Sequence, residues 1–131
     1  MTLVEHVHRE IAILVDSVAA QTARAAEDQS EEAIHDLRVA IRRLTENLRV
    51  FEDVFPRSAA SMTRRDLRPV MKLAGAVRNH DIAKQLAGKA EVKIPKKFDA
   101  DRDRAVAQLG DLLKGWNEQT AFRVWKEMLC G

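Results

Sequence analysis

The sequence predicts an all-α protein, an antiparallel four-helix bundle, and three observations carry that prediction. Apolar residues recur at three- and four-residue spacings through most of the chain, only five Gly and three Pro interrupt it, and no segment alternates apolar and polar residues as a strand would. Its 131 residues, 46% hydrophobic and 32% charged, suit one folded domain over residues 1–131 with one ordinary core. No internal repeat or low-complexity tract divides it.

Residues 2–26 contain no Gly or Pro and place Leu3, Val7, Ile11, Leu14, Val15 and Val18 on one face, so they form helix one. Asp28, Gln29 and Ser30 offer capping side chains before Glu31 and Glu32, whose charges suit a first helical turn. Helix two then runs to about Val54 and stops near Pro56, with Ile34, Leu37, Ile41, Leu44, Leu48, Phe51 and Phe55 on its core-facing arc. Residues 58–88 are helical again, either kinked or split at Pro69, with Val70, Leu73, Ala74, Val77, Ile82 and Leu86 as the apolar set and Gly88 as the C-cap. Lys89 to Phe98 contains Ile94-Pro95 and reads as a loop. Helix four starts near Asp99 and carries Val106, Leu109, Leu112, Leu113 and Trp116; it weakens around Gly115 and Asn117 before a last segment with Phe122, Val124, Trp125, Met128 and Leu129. Short connections favour antiparallel neighbours.

Several function classes find no support in the residues. There is no apolar run of membrane-spanning length and no secretory leader pattern, which predicts a cytoplasmic protein without membrane contact. The single Cys130 has no intrachain partner for a disulfide. Gly88-Lys89-Ala90 lacks the Ser or Thr and the upstream glycine of a phosphate loop, no Ser-His-Asp or Cys-His set stands out, and no acidic cluster is built to hold magnesium. His6 and His8 lie two apart, pointing in different directions on a helix, and His80 has no second ligand, so no metal or other cofactor is expected. The chain therefore reads as a non-enzyme. Trp116, Phe122 and Trp125 follow the helical apolar pattern without interleaved basic residues, which fits a core or an interface better than a base-stacking platform.

Charge is where the sequence becomes specific. The formal net charge is only +2, but residues 1–33 carry two basic and seven acidic side chains, residues 34–97 fifteen and seven, and residues 98–131 five and six. The middle is thus a localised cationic segment. In helix two His35, Arg38, Arg42 and Arg49 fall within about 60° of helix surface at 100° per residue, beside the apolar arc. Neither Asp36 nor Glu46 is expected to neutralise that row. In helix three Arg64, Arg68 and Lys72 are spaced by four, with Asn79 on the same stripe and Arg78 on its flank. The two rows can face one groove, and Asp81 is expected to pair with an arginine of helix two. Arginine forks match phosphate oxygens, so such a groove suits a linear polyanion, and phosphate contacts position a nucleic acid without reading its sequence. The same face would alternatively dock acidic proteins or nucleic acid, and a row of charges on a helix is also the ordinary form of a solvated face.

The run His35-x-x-Arg38-x-x-x-Arg42-Arg43-Leu44, continuing to Arg49-Val50-Phe51, and the run Leu67-Arg68 through Lys72-Leu73-x-Gly75-x-x-Arg78-x-x-Asp81-Ile82 resemble the CHAD domains, the conserved histidine α-helical domains. The resemblance is good over residues 30–88 and looser elsewhere. It implies a helical bundle that binds inorganic polyphosphate through a basic surface, association with polyphosphate granules, and a triphosphate-tunnel or other polyphosphate-metabolising enzyme as partner. It also implies that His35, Arg38, Arg42, Arg43, Arg49, Arg68, Lys72 and Arg78 contact the phosphate chain, to which the helix-three row adds Arg64. The chain departs from the family at Arg78-Asn79-His80-Asp81, where Arg-Asp-x-Asp is common, and at Thr45-Glu46, where more basic residues are common; weaker affinity is expected. The family's domain usually comprises two four-helix halves, and this sequence corresponds to one, which suggests a homodimer that rebuilds the two-lobed groove or, alternatively, a fragment or a degenerate half.

Overall fold

Several helix boundaries have a local cause in the chain. A computed structural model describes residues 1–118 and 121–130, and among them five α-helices occur: α1 (Leu3–Glu27), α2 (Glu31–Val50), α3 (Arg57–Lys89), α4 (Lys96–Glu118) and α5 (Ala121–Cys130). No strand occurs among the described residues, so the all-α expectation holds, but the expected fourth helix is two helices.

Thr2 caps α1 reciprocally: its hydroxyl accepts from the Glu5 amide at 3.1 Å, and the Glu5 carboxylate accepts from the Thr2 amide at 3.2 Å. Ser30 caps α2 by accepting from the Ala33 amide at 3.2 Å. The Ser30 amide in turn donates to Asp28 Oδ1 at 3.0 Å, and these bonds from Ser30 hold the Asp28 carboxyl below the usual carboxylate range. Helix two ends at Val50 and not at Val54, because Glu52–Val54 tighten into a 3-10 turn ahead of Pro56.

Helix α3 is continuous over 33 residues and passes through Pro69. Proline removes the donor that the Arg65 carbonyl would otherwise receive, and the cost is carried by burial on the opposite side, where Leu67 and Val70 are 2% and 0% exposed. The helix ends one residue beyond the expected Gly88 cap. Its terminus is a Schellman arrangement in which Val92 N donates to Ala87 O at 2.9 Å and Glu91 N to Gly88 O at 3.2 Å. The left-handed position of that motif, φ 56°, is occupied by Glu91. Helix α4 begins at Lys96, directly after Pro95 and earlier than Asp99, and it runs through Gly115 to Glu118.

Hydrogen bonds between helices set their directions. Arg24 near the end of α1 reaches Asp36 near the start of α2 at 2.6 Å, while His6 and Val7 line a hollow with Asn47 and Phe51, so α1 and α2 run oppositely. Gln85 of α3 donates to Glu31 of α2 at 2.8 Å, and Arg64 of α3 lies across from Arg49, which makes α2 and α3 opposite as well. Arg102 of α4 reaches Asp81 of α3 and the Gln29 carbonyl in the α1–α2 connection. Lys126 of α5 reaches Asp16 at 2.7 Å, and Cys130 donates to the His8 carbonyl at 3.4 Å, so α5 also runs against α1.

One cluster of buried side chains joins the five helices, including Ile11, Val15, Leu37, Ile41, Leu44, Leu67, Val70, Val77, Leu109, Leu113, Trp125 and Leu129. Trp116 and Trp125 are buried, at 8% and 1% exposure, and pack edge to face at 5.2 Å with Phe122 against both. Trp125 Nε1 donates to Asp66 at 3.0 Å, which ties α5 to α3. Trp116 and Trp125 are therefore core residues, with the partly buried Phe122 packed against them.

Candidate functional site

The core-facing arcs of α2 and α3 pack together, and that packing fixes where the flanking cations point. Between the two helices lies an open cavity of about 470 Å³ lined by Arg42, Thr45, Glu46 and Arg49 from α2 and by Arg64, Leu67, Arg68 and Met71 from α3. Four arginines from the two predicted rows therefore face one groove. Arg38 stands one helical turn before Arg42, and its guanidinium pKa is pulled down first by burial and then by the positive charges of Arg42 and Arg78. Its Nε is buried with no hydrogen-bond partner. Arg38 thus extends the cationic row beyond the groove, and Arg78, close enough to act on Arg38, lines a separate hollow with Glu31, Asp81 and Gln85; from Arg38 to Arg49 the track along α2 is about 16 Å long at 1.5 Å per residue.

Among the described residues, none of Arg38, Arg42, Arg43, Arg49, Arg64, Arg68, Lys72 and Arg78 makes an ion pair with a carboxylate. Elsewhere Arg24, Lys84, Arg102, Arg104, Arg123 and Lys126 have acidic partners, whereas Arg9, Arg57, Arg65, Lys89, Lys93, Lys96 and Lys97 also have none among the described residues, so what distinguishes the groove arginines is their clustering on facing helices. Clustered, unpaired guanidiniums repel one another and are relieved by an anion with several charges.

Other predicted residues lie elsewhere. His35 and Arg43 line a different hollow, of about 330 Å³, between α1 and α2, with Ser17, Gln21 and Asp36 as neighbours. Lys72 is exposed and does not line the α2–α3 groove. Asn79 faces α4, in a hollow with His80, Phe98 and Arg102. There the His80 ring is buried, stacks on Phe98 at 3.9 Å between centroids and hydrogen-bonds to the Phe98 carbonyl at 2.6 Å, so its role is to seat the start of α4.

One expectation is corrected, and the place of Glu46 is added to another. Asp81 does not hold an arginine of helix two: its carboxylate accepts from Arg102 of α4, at 2.6 Å from Nε and 3.3 Å from Nη2. That bond is the first cause that raises the Arg102 pKa, with the Asp81 charge adding to it against burial. Glu46 does sit among the cations. It is four residues after Arg42 and three before Arg49, on the groove wall, although it makes no ion pair there. The spacing that places it was present in the sequence. The apolar floor of Leu67 and Met71 was also missed as part of the site, because both read simply as core residues of helix three.

Among the described residues, no group of three or more His, Cys, Asp or Glu is arranged to hold a metal, and no helix is long and apolar enough to cross a membrane. No curated protein and no solved structure matches the chain. The family model for the CHAD domain matches residues 10–128, nearly the whole length and both cationic rows, and the chain therefore belongs to the CHAD domain family.

Proposed function

We propose that this domain binds inorganic polyphosphate along the α2–α3 groove, without catalysis, through Arg42, Arg49, Arg64 and Arg68 and the adjoining Arg38 and Arg78. The observation that carries the reading is the set of unpaired arginines facing one groove in a member of a family associated with polyphosphate binding. Arginine suits the task because its fork donates two parallel bonds to phosphate oxygens and stays charged even when partly desolvated, as at Arg38. A repeating anion is favoured over a single phosphate because the track is several helical turns long. His35, Arg43 and Lys72 are peripheral contacts in this reading, used by the ends of a long chain that wraps past the groove.

The protein is further proposed to act in the cytoplasm at polyphosphate granules, beside a triphosphate-tunnel or other polyphosphate-metabolising enzyme, and to pair as a homodimer so that a second groove lengthens the track. Light scattering coupled to size exclusion tests the pairing: the dimer predicts twice the chain mass of 14.8 kDa, and a strict monomer with full polyphosphate affinity contradicts it.

The binding itself is tested by titrating labelled medium-chain polyphosphate and single-stranded RNA of matched charge, with the protein and with Arg42→Ala/Arg68→Ala. Tighter polyphosphate binding that the double variant loses supports the reading. Equal affinity for both polymers would make the groove a general polyanion surface, and intact binding by the variant would remove the groove from the account.

A further inference from the structure

Resting on the reading of the α2–α3 groove as an anion site, we infer that it accepts a nucleoside oligophosphate, an anion that carries a base and sugar, better than a bare phosphate chain of the same length. A bare phosphate chain leaves part of the groove unused. Its floor is Leu67, 2% exposed, and half-buried Met71. The wall residue Thr45 commits its hydroxyl to the Ile41 carbonyl at 2.9 Å, so its polar atom is occupied within the helix. None of these three side chains offers anything to a phosphate.

Glu46 is the second and independent observation. Its carboxylate stands on the wall among Arg42, Arg49, Arg64 and Arg68, where it repels any phosphate that enters. An ionised carboxylate can only accept hydrogen bonds, and the phosphates of an inorganic chain at neutral pH present mainly acceptors. Sugar hydroxyls and the exocyclic amine of a base are donors that satisfy it. A purine ring supplies a flat apolar surface that the half-buried Met71 thioether, seated over the core residue Leu67, can cover and on which an arginine plane can stack. The groove volume of about 470 Å³ suits a ligand of that size, since ligand clefts run from about 300 to 1,000 Å³. A mixed lining of arginines, one acceptor and an apolar floor therefore matches each part of a nucleoside triphosphate, whereas it matches inorganic tripolyphosphate in its cations alone.

The test compares ATP with inorganic tripolyphosphate by calorimetry on the full chain, in chelator without magnesium and again with it, for the wild type, Glu46→Ala and Met71→Ala. Wild type is expected to bind ATP at least tenfold more tightly than tripolyphosphate. Glu46→Ala should tighten tripolyphosphate severalfold by removing repulsion while ATP fails to gain, and Met71→Ala should weaken ATP alone, so the preference for ATP falls in both. Equal affinities in the wild type, or a preference that neither variant changes, overturn the inference while leaving the anion site intact. A Glu46 effect seen only with magnesium assigns that carboxylate to a bridging cation and also overturns it. Failure of tripolyphosphate and ATP alike to bind would instead remove the anion site on which the inference rests.

Discussion

Replacing Arg38 by Met is expected to make the protein more stable and worse at binding. Arg38 Nε is buried without a partner, and Arg42 and Arg78 add like charge around the guanidinium. An unsatisfied buried donor costs about 1–3 kcal/mol. Methionine keeps most of the apolar stem, fills similar space and has a helix propensity close to that of arginine, so little packing is lost. Subtracting the contacts of the missing guanidinium leaves a net gain of about 1 kcal/mol, which for a chain of this size raises the melting temperature by roughly 4 °C. The same change removes a charge-assisted bond to phosphate, worth about 1.5–3 kcal/mol, so polyphosphate affinity should fall about tenfold or more. Thermal and urea unfolding together with a polyphosphate titration measure both effects. A variant destabilised by a kilocalorie would mean that Arg38 is satisfied in solution, and unchanged affinity would mean that it stands outside the track.

Three other outcomes follow from single contacts. Glu91→Gly should stabilise the end of α3 by about 1 kcal/mol, since glycine occupies the left-handed Schellman position without a Cβ penalty; a loss in urea midpoint would contradict the assigned geometry. Asp81→Asn leaves the Arg102 guanidinium, 24% exposed, without its anionic partner and should cost about 2–3 kcal/mol, less than for a fully buried pair; an unchanged urea midpoint would show that the pair is not holding α3 to α4. Burial pushes the Cys130 thiol up, with Lys126 opposing it weakly. The folded state therefore favours the thiol, its contribution to stability being present below the ordinary thiol pKa and lost as pH rises through the raised value. Because the thiolate is the nucleophile, disulfide-reagent labelling at pH 8 should be slower in native protein than in urea, and equal rates would refute the burial.

What was legible in the sequence followed from single helices. The period of 3.6 residues ranks positions around one axis, so the core arc of helix two and the cationic stripe beside it were readable from spacing. Ser30 and the acidic residues after it marked the start of that helix for the same local reason. Pairings between helices were not legible, because spacing carries no information about which neighbour a face meets. Asp81 accordingly found Arg102, 21 residues onward on α4, and not helix two. Asn79, placed on the same stripe as Arg64 and Arg68 by angle, faces α4 because the long helix α3 borders both neighbours along its length. The end of α3 was hidden by composition: glycine is the usual marker of a left-handed cap, and here a glutamate three residues later holds it. Glu46 is the case where the signal was present, four residues from Arg42, and it changes the groove from a purely cationic surface into one with a built-in acceptor.

The central claim is that a repeating anion neutralises the arginines of one track, and the salt dependence of polyphosphate binding tests it most directly. If Arg38, Arg42, Arg49, Arg64, Arg68 and Arg78 each displace a counterion, the log-log slope should be about −4, taking roughly −0.7 per contact from single-stranded nucleic acids. Arg42→Ala/Arg68→Ala should bring it to about −3. A slope near zero in the wild type, or one that the double variant leaves unchanged, would contradict the account.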